Sequence, residues 1–230
     1  MNNTIKQLFN SLGFTISRTH PILRNAEINY EKYKYYTMIS RKKYIANIEL
    51  AYSFGRIDGC FVECGTWRGG MSAGMAEIFP EKLFYLFDSF EGLPEVKEID
   101  GEAAVHWQNN PQSDTFYDNC KAEINLAEKA MSQTKVKYKI VKGWFSDTLP
   151  EYKFKEEIAI LRLDADWYDS TMECLRHLYP KVAKKGLIII DDYFTWDGCS
   201  RAIHDYLSEI KSISRIYTYN PKVAYIIKED

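Results

Sequence analysis

The stretch LRLDADWYDS, Leu161–Ser170, decides how this chain reads. An apolar run, AILRL, breaks into three aspartates, Asp164, Asp166 and Asp169. Further along, LIIIDDY repeats the pattern and ends in Asp191 and Asp192. Short, continuous apolar runs of this kind fit strands buried on both faces of a parallel sheet. Two earlier runs also meet an acid at their carboxyl end: CFVEC carries Glu63 and KLFYLFD stops at Asp88. Ligands of open α/β sheets sit beyond the carboxyl ends of the strands, at the point where strand order reverses. Four consecutive acidic strand ends therefore point to one site along one edge.

Outward from these runs, strands alternate with helices. CFVEC, KLFYLFD, VKYKIVKG, EIAILRLD, GLIIID, SRIYTYN and VAYIIKE read as strands. MSAGMAEIF, TFYDNCKAEINLAEKAMSQ, DSTMECLRHLYPKV and SRAIHDYLSEIK read as helices. The expectation is an α/β fold: a seven-stranded, mostly parallel sheet with helices on both faces. The last two strands flank Asn220-Pro221 with no helix between, so a hairpin is expected and the last strand is antiparallel. Gly186 reads as a turn before GLIIID, and Asp169 or Ser170 as a helix cap. Residues 1–58 read as a helical extension, with Leu23, Tyr30, Tyr33, Tyr36 and Met38 packing on the core, and residues 59–230 as the α/β domain. The polar, Gly- and Pro-broken segment 89–114 is too long for an ordinary connection and reads as a lid.

Composition excludes several classes. The 230 residues carry a net charge of −2 and a pI near 6.1, with no long basic run, so a nucleic-acid surface has little support. The short SRKKY, Ser40–Tyr44, reads as a solvated helix face. No apolar run reaches the ~18 residues of a membrane span, and MNNTIKQLFNSLG lacks a signal-peptide core. The five cysteines are scattered, without C-x-x-C, and read as reduced; Cys60 and Cys64 point into the core from one side of a strand. A soluble cytoplasmic protein without membrane partners is expected.

FVECGTWRGGMS is a strand, a glycine turn and a helix start. A dinucleotide fold wants G-x-G-x-x-G, whose second glycine lets backbone approach a pyrophosphate. Here the register gives Gly65, Trp67 and Gly70, and an indole stands where bare backbone is needed. NAD and FAD are disfavoured, and no G-x-x-x-x-G-K-[ST] motif marks an ATP site. A nucleoside cofactor without phosphates fits: S-adenosyl-L-methionine (SAM). Glu63 would meet its ammonium and Gly65 would admit its ribose and methionine. Asp88 would hold the ribose hydroxyls. Trp144 and Phe145, after Gly143, either stack on adenine or belong to the core. The full candidate cofactor set is Met38, Glu63, Gly65, Thr66, Trp67, Arg68, Gly69, Ser72, Asp88, Ser89, Trp144 and Phe145.

Taken together, FVECGTWRGG, YLFDSFEGLP, LRLDADWYDST, LYP, GLIIIDDY and the Gly198, Ala202, Tyr206 spacing of GCSRAIHDY resemble the macrocin O-methyltransferase (TylF/MycF-type) family over roughly residues 36–210. The resemblance implies a Rossmann-like class I methyltransferase fold and methylation of a sugar hydroxyl on an antibiotic or related glycoside. It implies a divalent metal, usually Mg2+, on the acids matching Asp164, Asp191 and Asp192. It makes Asp166 the candidate general base. Residues before about 36 match the family poorly, so the acceptor is not set by the resemblance.

The metal would also answer a physical problem. Carboxylates ~4 Å apart repel by roughly 4 kcal/mol per pair at an effective dielectric near 20. A hard divalent cation with oxygen ligands offsets this better than proton sharing. The expected chemistry is a sugar diol on the metal, Asp166 taking the proton, and transfer of the SAM methyl to oxygen. Asp164 and Asp166 are expected on the same side of an extended segment, Asp169 is left to cap its helix, and His106 is a second candidate base in the lid. Tyr30, Tyr33, Tyr35 and Tyr36 read either as a sugar-stacking entrance or as an oligomer interface. A homo-oligomer, dimer or tetramer, acting on a sugar or sugar nucleotide is expected. Rival readings are a catechol-like acceptor, a non-catalytic SAM-binding partner subunit, and an NAD-linked sugar dehydrogenase, which Trp67 opposes.

Overall fold

The computed structural model describes residues 21–230 apart from Pro221. The helical reading of residues 1–20 and the packing of the Leu23 side chain lie outside the described residues. Two helices come first, α1 (Pro21–Tyr33) and α2 (Arg41–Tyr52), then β1 (Cys60–Cys64), α3 (Gly70–Ile78) and β2 (Phe84–Asp88). Next are α4 (Glu102–Gln108), α5 (Ile124–Met131), β3 (Tyr138–Lys142) and a single turn, α6 (Phe145–Thr148). The chain closes with β4 (Ile158–Leu163), α7 (Tyr168–Leu178), β5 (Val182–Ile190), α8 (Asp197–Glu209), β6 (Ile216–Tyr219) and β7 (Val223–Ile227).

Among the described residues, seven strands form one sheet in the order β3-β2-β1-β4-β5-β7-β6. β1 pairs in parallel with β2 and with β4, and β4 with β5. β7 runs antiparallel to both β5 and β6, as the hairpin at Asn220 requires. From β1 the chain moves outward to β2 and β3, then returns to β4 on the other side. That reversal opens a crevice above the carboxyl ends of β1 and β4.

Alternation along each strand builds two cores. Cys60, Val62, Cys64, Leu161 and Leu163 pack under α7 and α8. Phe61 and Ile160 face the other way, beneath α1, α2 and α3. Gly198, Ala202 and Tyr206 are buried together because their spacing of four puts them on one face of α8. On the opposite face, α2 closes tightly on α3: a Cβ at Gly74 would lie 1.8 Å from the Tyr44 hydroxyl. Tyr44 Oη donates to Gly70 O at 3.1 Å, and Asn29 Nδ2 to Gly74 O at 3.3 Å.

Four local readings are corrected. Gly186 lies inside β5, not in a turn before it. The helix expected over 115–133 is confined to α5, because Tyr117, Asp118, Asn119 and Cys120 all take positive φ, 47° to 61°. The first residue before α7, Trp167, is its cap position, and neither Asp169 nor Ser170 caps it; Asp169 sits in the first turn, where a negative charge suits the helix dipole, and pairs with Lys97 at 2.5 Å. The segment 89–114 is not a bare loop, since it holds a 3-10 turn, Glu98–Asp100, and α4.

Side chains tie that segment down. Asp100 is buried; it accepts from Lys97 N at 2.8 Å and from Tyr168 N at 2.7 Å. Gln108 donates to Pro94 O and to Asn119 Oδ1, both at 2.9 Å, and Asn119 Nδ2 donates to Leu93 O at 2.7 Å. Trp167 Nε1 donates to Pro94 O at 3.0 Å.

Candidate active site

The end of β1 touches the end of β4. Gly65 has φ +82°, and a Cβ there would lie 1.8 Å from Asp164 O. Only glycine satisfies both demands. Trp67 also takes a left-handed backbone, φ 49°, so the turn is glycine-like even where the motif lacks glycine. Its amide donates to Asp88 Oδ2 at 2.7 Å, and Phe90 N to Asp88 Oδ1 at 2.6 Å. Burial pushes the Asp88 carboxyl up against the pull of these amide donors.

Two cavities meet over this edge and share Gly65, Asp88, Gly92, Leu93 and Asp164. The first, about 500 Å³, is walled by Ser89, Trp144, Phe145 and the start of α7. The second, about 460 Å³, is walled by Met38, Trp67, Trp107 and Trp196, with Asp166, Asp191 and Asp192 at its floor. Thus Met38, Gly65, Trp67, Asp88, Ser89, Trp144, Phe145, Asp164, Asp166, Asp191 and Asp192 line these two adjoining cavities.

The remaining candidates stand behind it. Glu63 is 1% exposed; its carboxylate accepts from Ser72 Oγ at 2.5 Å and from Arg162 Nη1 at 2.8 Å, so it faces a buried pair and not a cofactor ammonium. Burial raises Glu63 to about 7, against the pull of Arg162 and Ser72. Arg68 lies 4.1 Å over the Trp67 ring, and its Nε is buried without a partner, as is Thr66 Oγ1. Gly69, at φ +80°, starts α3. His106 is exposed and lines a separate outer groove with Glu95 and Glu102, which removes it as a base. Tyr33 is buried and Tyr30 packs edge-on to Tyr44, while Tyr35 points to solvent at 76% exposure; these tyrosines wall neither cavity.

Three groups that sequence reasoning missed organise the acids. Arg162, on β4 and fully buried, donates to Glu63, to Asp164 Oδ2 at 2.9 Å, to Asp191 Oδ1 and to Asn47 Oδ1 at 3.3 Å. Lys43, on α2, donates to Asp191 Oδ2 at 2.5 Å and to Asp191 O at 2.7 Å. SRKKY is therefore only half a solvated face: Arg41 and Lys42 are exposed, and Lys43 and Tyr44 turn inward. Trp196 Nε1 donates to Asp166 Oδ1 at 2.9 Å. Asp166 adopts φ 57°, so Asp164 and Asp166 share the cavity through a left-handed kink and not through an extended segment.

These cations act unevenly. Burial pushes Asp191 up, but Arg162 and Lys43 outweigh it and hold it below its ordinary value. Burial raises Asp164 despite Arg162. Burial, then repulsion from Asp164, raises Asp166 to about 8. Asp192 is driven well up by burial and by Asp166, Asp164 and Asp191, and its Oδ2 is buried with no partner. Oxygens of Asp164, Asp191 and Asp192 lie within 4.8 Å of one another. An all-oxygen cluster with an orphaned carboxylate oxygen fits a hard divalent cation.

Known proteins resemble this chain. The macrocin O-methyltransferase (TylF) family profile matches residues 24–219, reaching further toward the N-terminus than the expected 36–210 and taking in most of α1. The mycinamicin III 3''-O-methyltransferase of Micromonospora griseorubida is 31% identical over 183 residues, 74% of this chain and 70% of that protein. The 8-demethyl-8-(2,3-dimethoxy-alpha-L-rhamnosyl)-tetracenomycin-C 4'-O-methyltransferase of Streptomyces olivaceus is 34% identical over 159 residues, 65% of this chain and 58% of its own length. The solved O-methyltransferase NovP superposes with a TM-score of 0.69 at 25% identity, over 85% of this chain and 83% of that one. With a family match across most of its length, the chain belongs to the macrocin O-methyltransferases (TylF) and is a SAM-dependent methyltransferase.

Proposed function

We propose that this protein transfers the methyl group of SAM to a hydroxyl of a sugar, on a glycoside or a nucleotide-activated sugar, beside a divalent cation such as Mg2+. One observation carries the reading: the cofactor loop, Asp88 and the four aspartates open onto the same cavity. The Streptomyces olivaceus relative is named for a rhamnosyl glycoside, which supports a sugar acceptor.

Residue roles follow from position. Asp88 receives the ribose hydroxyls, and Trp144 and Phe145 cover the adenine end. Met38, Trp67, Trp107 and Trp196 exclude water around the acceptor. Asp164, Asp191 and Asp192 would hold the cation, which when bound supplies Lewis acidity to an acceptor oxygen. Asp166 takes the acceptor's proton on Oδ2, because Trp196 holds Oδ1. Without metal, burial and Asp164 raise its carboxyl to about 8; the charge of a bound cation would lower it toward the range in which it accepts a proton near neutrality. The balance is simple: sulfur loses a methyl group, oxygen gains it, and the proton goes to Asp166.

Within the proposed extension, residues 1–58, the described part brings Met38 and Lys43 to the cleft, with 59–230 as the catalytic domain and 89–114 as the lid. Five free cysteines suit a cytoplasmic enzyme, and exposed Tyr35 suits a contact between copies in a homo-oligomer; no nucleic-acid or membrane partner is proposed.

Calorimetric titration of SAM and S-adenosylhomocysteine, with and without Mg2+, tests the reading beside Asp88→Ala. Micromolar binding lost in the variant is expected. No binding under any condition would sink it. Asp166→Asn should then abolish turnover of a sugar acceptor while leaving cofactor binding intact, and normal turnover would remove Asp166 as the base.

A further inference from the structure

We propose that Lys43 is the resident cation of the aspartate cluster, and that a divalent ion must compete with its ammonium for Asp191. The inference rests on the metal reading above. Both Asp191 oxygens are already engaged: Oδ1 by Arg162 from beneath, and Oδ2 by Lys43 from the cavity wall. Asp192 Oδ2, in contrast, has no partner. An ion gathering Asp164, Asp191 and Asp192 therefore finds its open oxygen on Asp192 and an occupied one on Asp191.

The two basic residues are not equivalent. Arg162 is rooted in the middle of the sheet, bound to Glu63, Asp164, Asp191 and Asn47 at once. It cannot leave without stranding three carboxylates. Lys43 stands on α2 with a side chain 15% exposed, lines the acceptor cavity, and its ammonium has only Asp191 as a hydrogen-bond partner among the described contacts. A flexible four-carbon stem lets its ammonium withdraw into the cavity. A divalent ion sharing Asp191 would meet a like charge within a few ångströms in a poorly solvated site, so the ion's affinity is held down as long as the ammonium stays. Before the ion arrives, the same ammonium keeps the acids together.

The test is titration of wild type, Lys43→Met and Lys43→Arg with Mn2+ alone, followed by calorimetry, and a thermal melt of each in EDTA. Lys43→Met should bind Mn2+ at least ~10-fold more tightly than wild type, because a repelling charge is gone. It should also melt lower in EDTA and gain more than wild type when Mn2+ is added. Lys43→Arg keeps the charge and should keep the weaker affinity. A purely structural role for Lys43 would weaken Mn2+ binding in Lys43→Met, and equal or weaker binding in the folded variant overturns the proposal. If Lys43→Met does not fold, Lys43→Gln carries the same expectation. Absence of Mn2+ binding in every variant overturns the metal reading and this inference together, whereas binding in wild type with no gain in the neutral variants overturns this inference alone.

Discussion

Arg162 is the residue on which the acids depend. Removing one partner of a buried ion pair costs about 3–5 kcal/mol, because the other charge is left unpaired in a poorly solvated place. Total stability is commonly only about 5–15 kcal/mol. Arg162→Met, of similar reach, is therefore expected to lose at least ~3 kcal/mol in urea unfolding, through Glu63, Asp164 and Asp191 together. A second outcome concerns pH. Glu63 and Asp166 have folded pKa values raised to about 7 and about 8. A carboxyl with a raised folded pKa favours the fold when protonated, so its contribution is present at low pH and lost as pH rises through the folded value. In EDTA, the urea midpoint should fall as pH rises from the ordinary carboxyl values near 4 through the folded values of about 7 and about 8, then level off, and Asp166→Asn should flatten part of that fall. An unchanged slope in the variant would count against the raised Asp166. Arg162 had a signal in the sequence: a lone arginine inside AILRL must be paired if the strand is buried. Lys43 had none, because within SRKKY only the turn of α2, about 100° per residue, decides which cation faces inward.

At the scale of elements, strands were legible and the turn at Tyr117–Cys120 was not. Strands buried on both faces must be apolar along their whole length, and β1, β4 and β5 show this directly. The acids at their ends were legible for the same reason, as abrupt breaks in those runs. By contrast, Tyr117–Cys120 form a left-handed turn from four non-glycine residues, and no local preference announces it. Its cost is met by tertiary bonds such as those of Asn119. Helix contacts depend equally on partners that periodicity cannot name. Gly74 makes room for Tyr44, so Gly74→Ala should destabilise by about 1–3 kcal/mol through overpacking. Tyr44→Phe in the same chain should recover part of that loss, since the nearest clash is with the hydroxyl. Independent, additive losses in the double variant, measured by urea unfolding, would show that the two residues do not meet as described.

For the molecule as a whole, the proposed cofactor and cation sites lie on one sheet edge, and ligands that bind only the folded state stabilise it by mass action. S-adenosylhomocysteine at 100 times its Kd should add ~2.7 kcal/mol, or roughly 5–10 °C in Tm for a chain of this size. Asp88→Ala should lose that gain and keep any gain from Mn2+; loss of both would mean that the variant damages the fold. The attachment of the segment over the cleft has a practical corollary. The acids stand at the sheet's edge, whereas Leu93, Trp107, Thr115 and Tyr117, which line the same cavity as Asp166, Asp191 and Asp192, belong to the chain between β2 and α5. That segment is pinned to α7 by Asp100, which accepts from the main-chain amide of Tyr168, and by its own Pro94 carbonyl. The first of these anchors asks the body of the protein for a peptide group and for the space left by Gly198, where a Cβ would lie 2.5 Å from Asp100 Oδ1. The covering segment is thus close to a cassette: a relative's version could be spliced onto this sheet to change which hydroxyl is presented, with the machinery that moves the methyl group left in place.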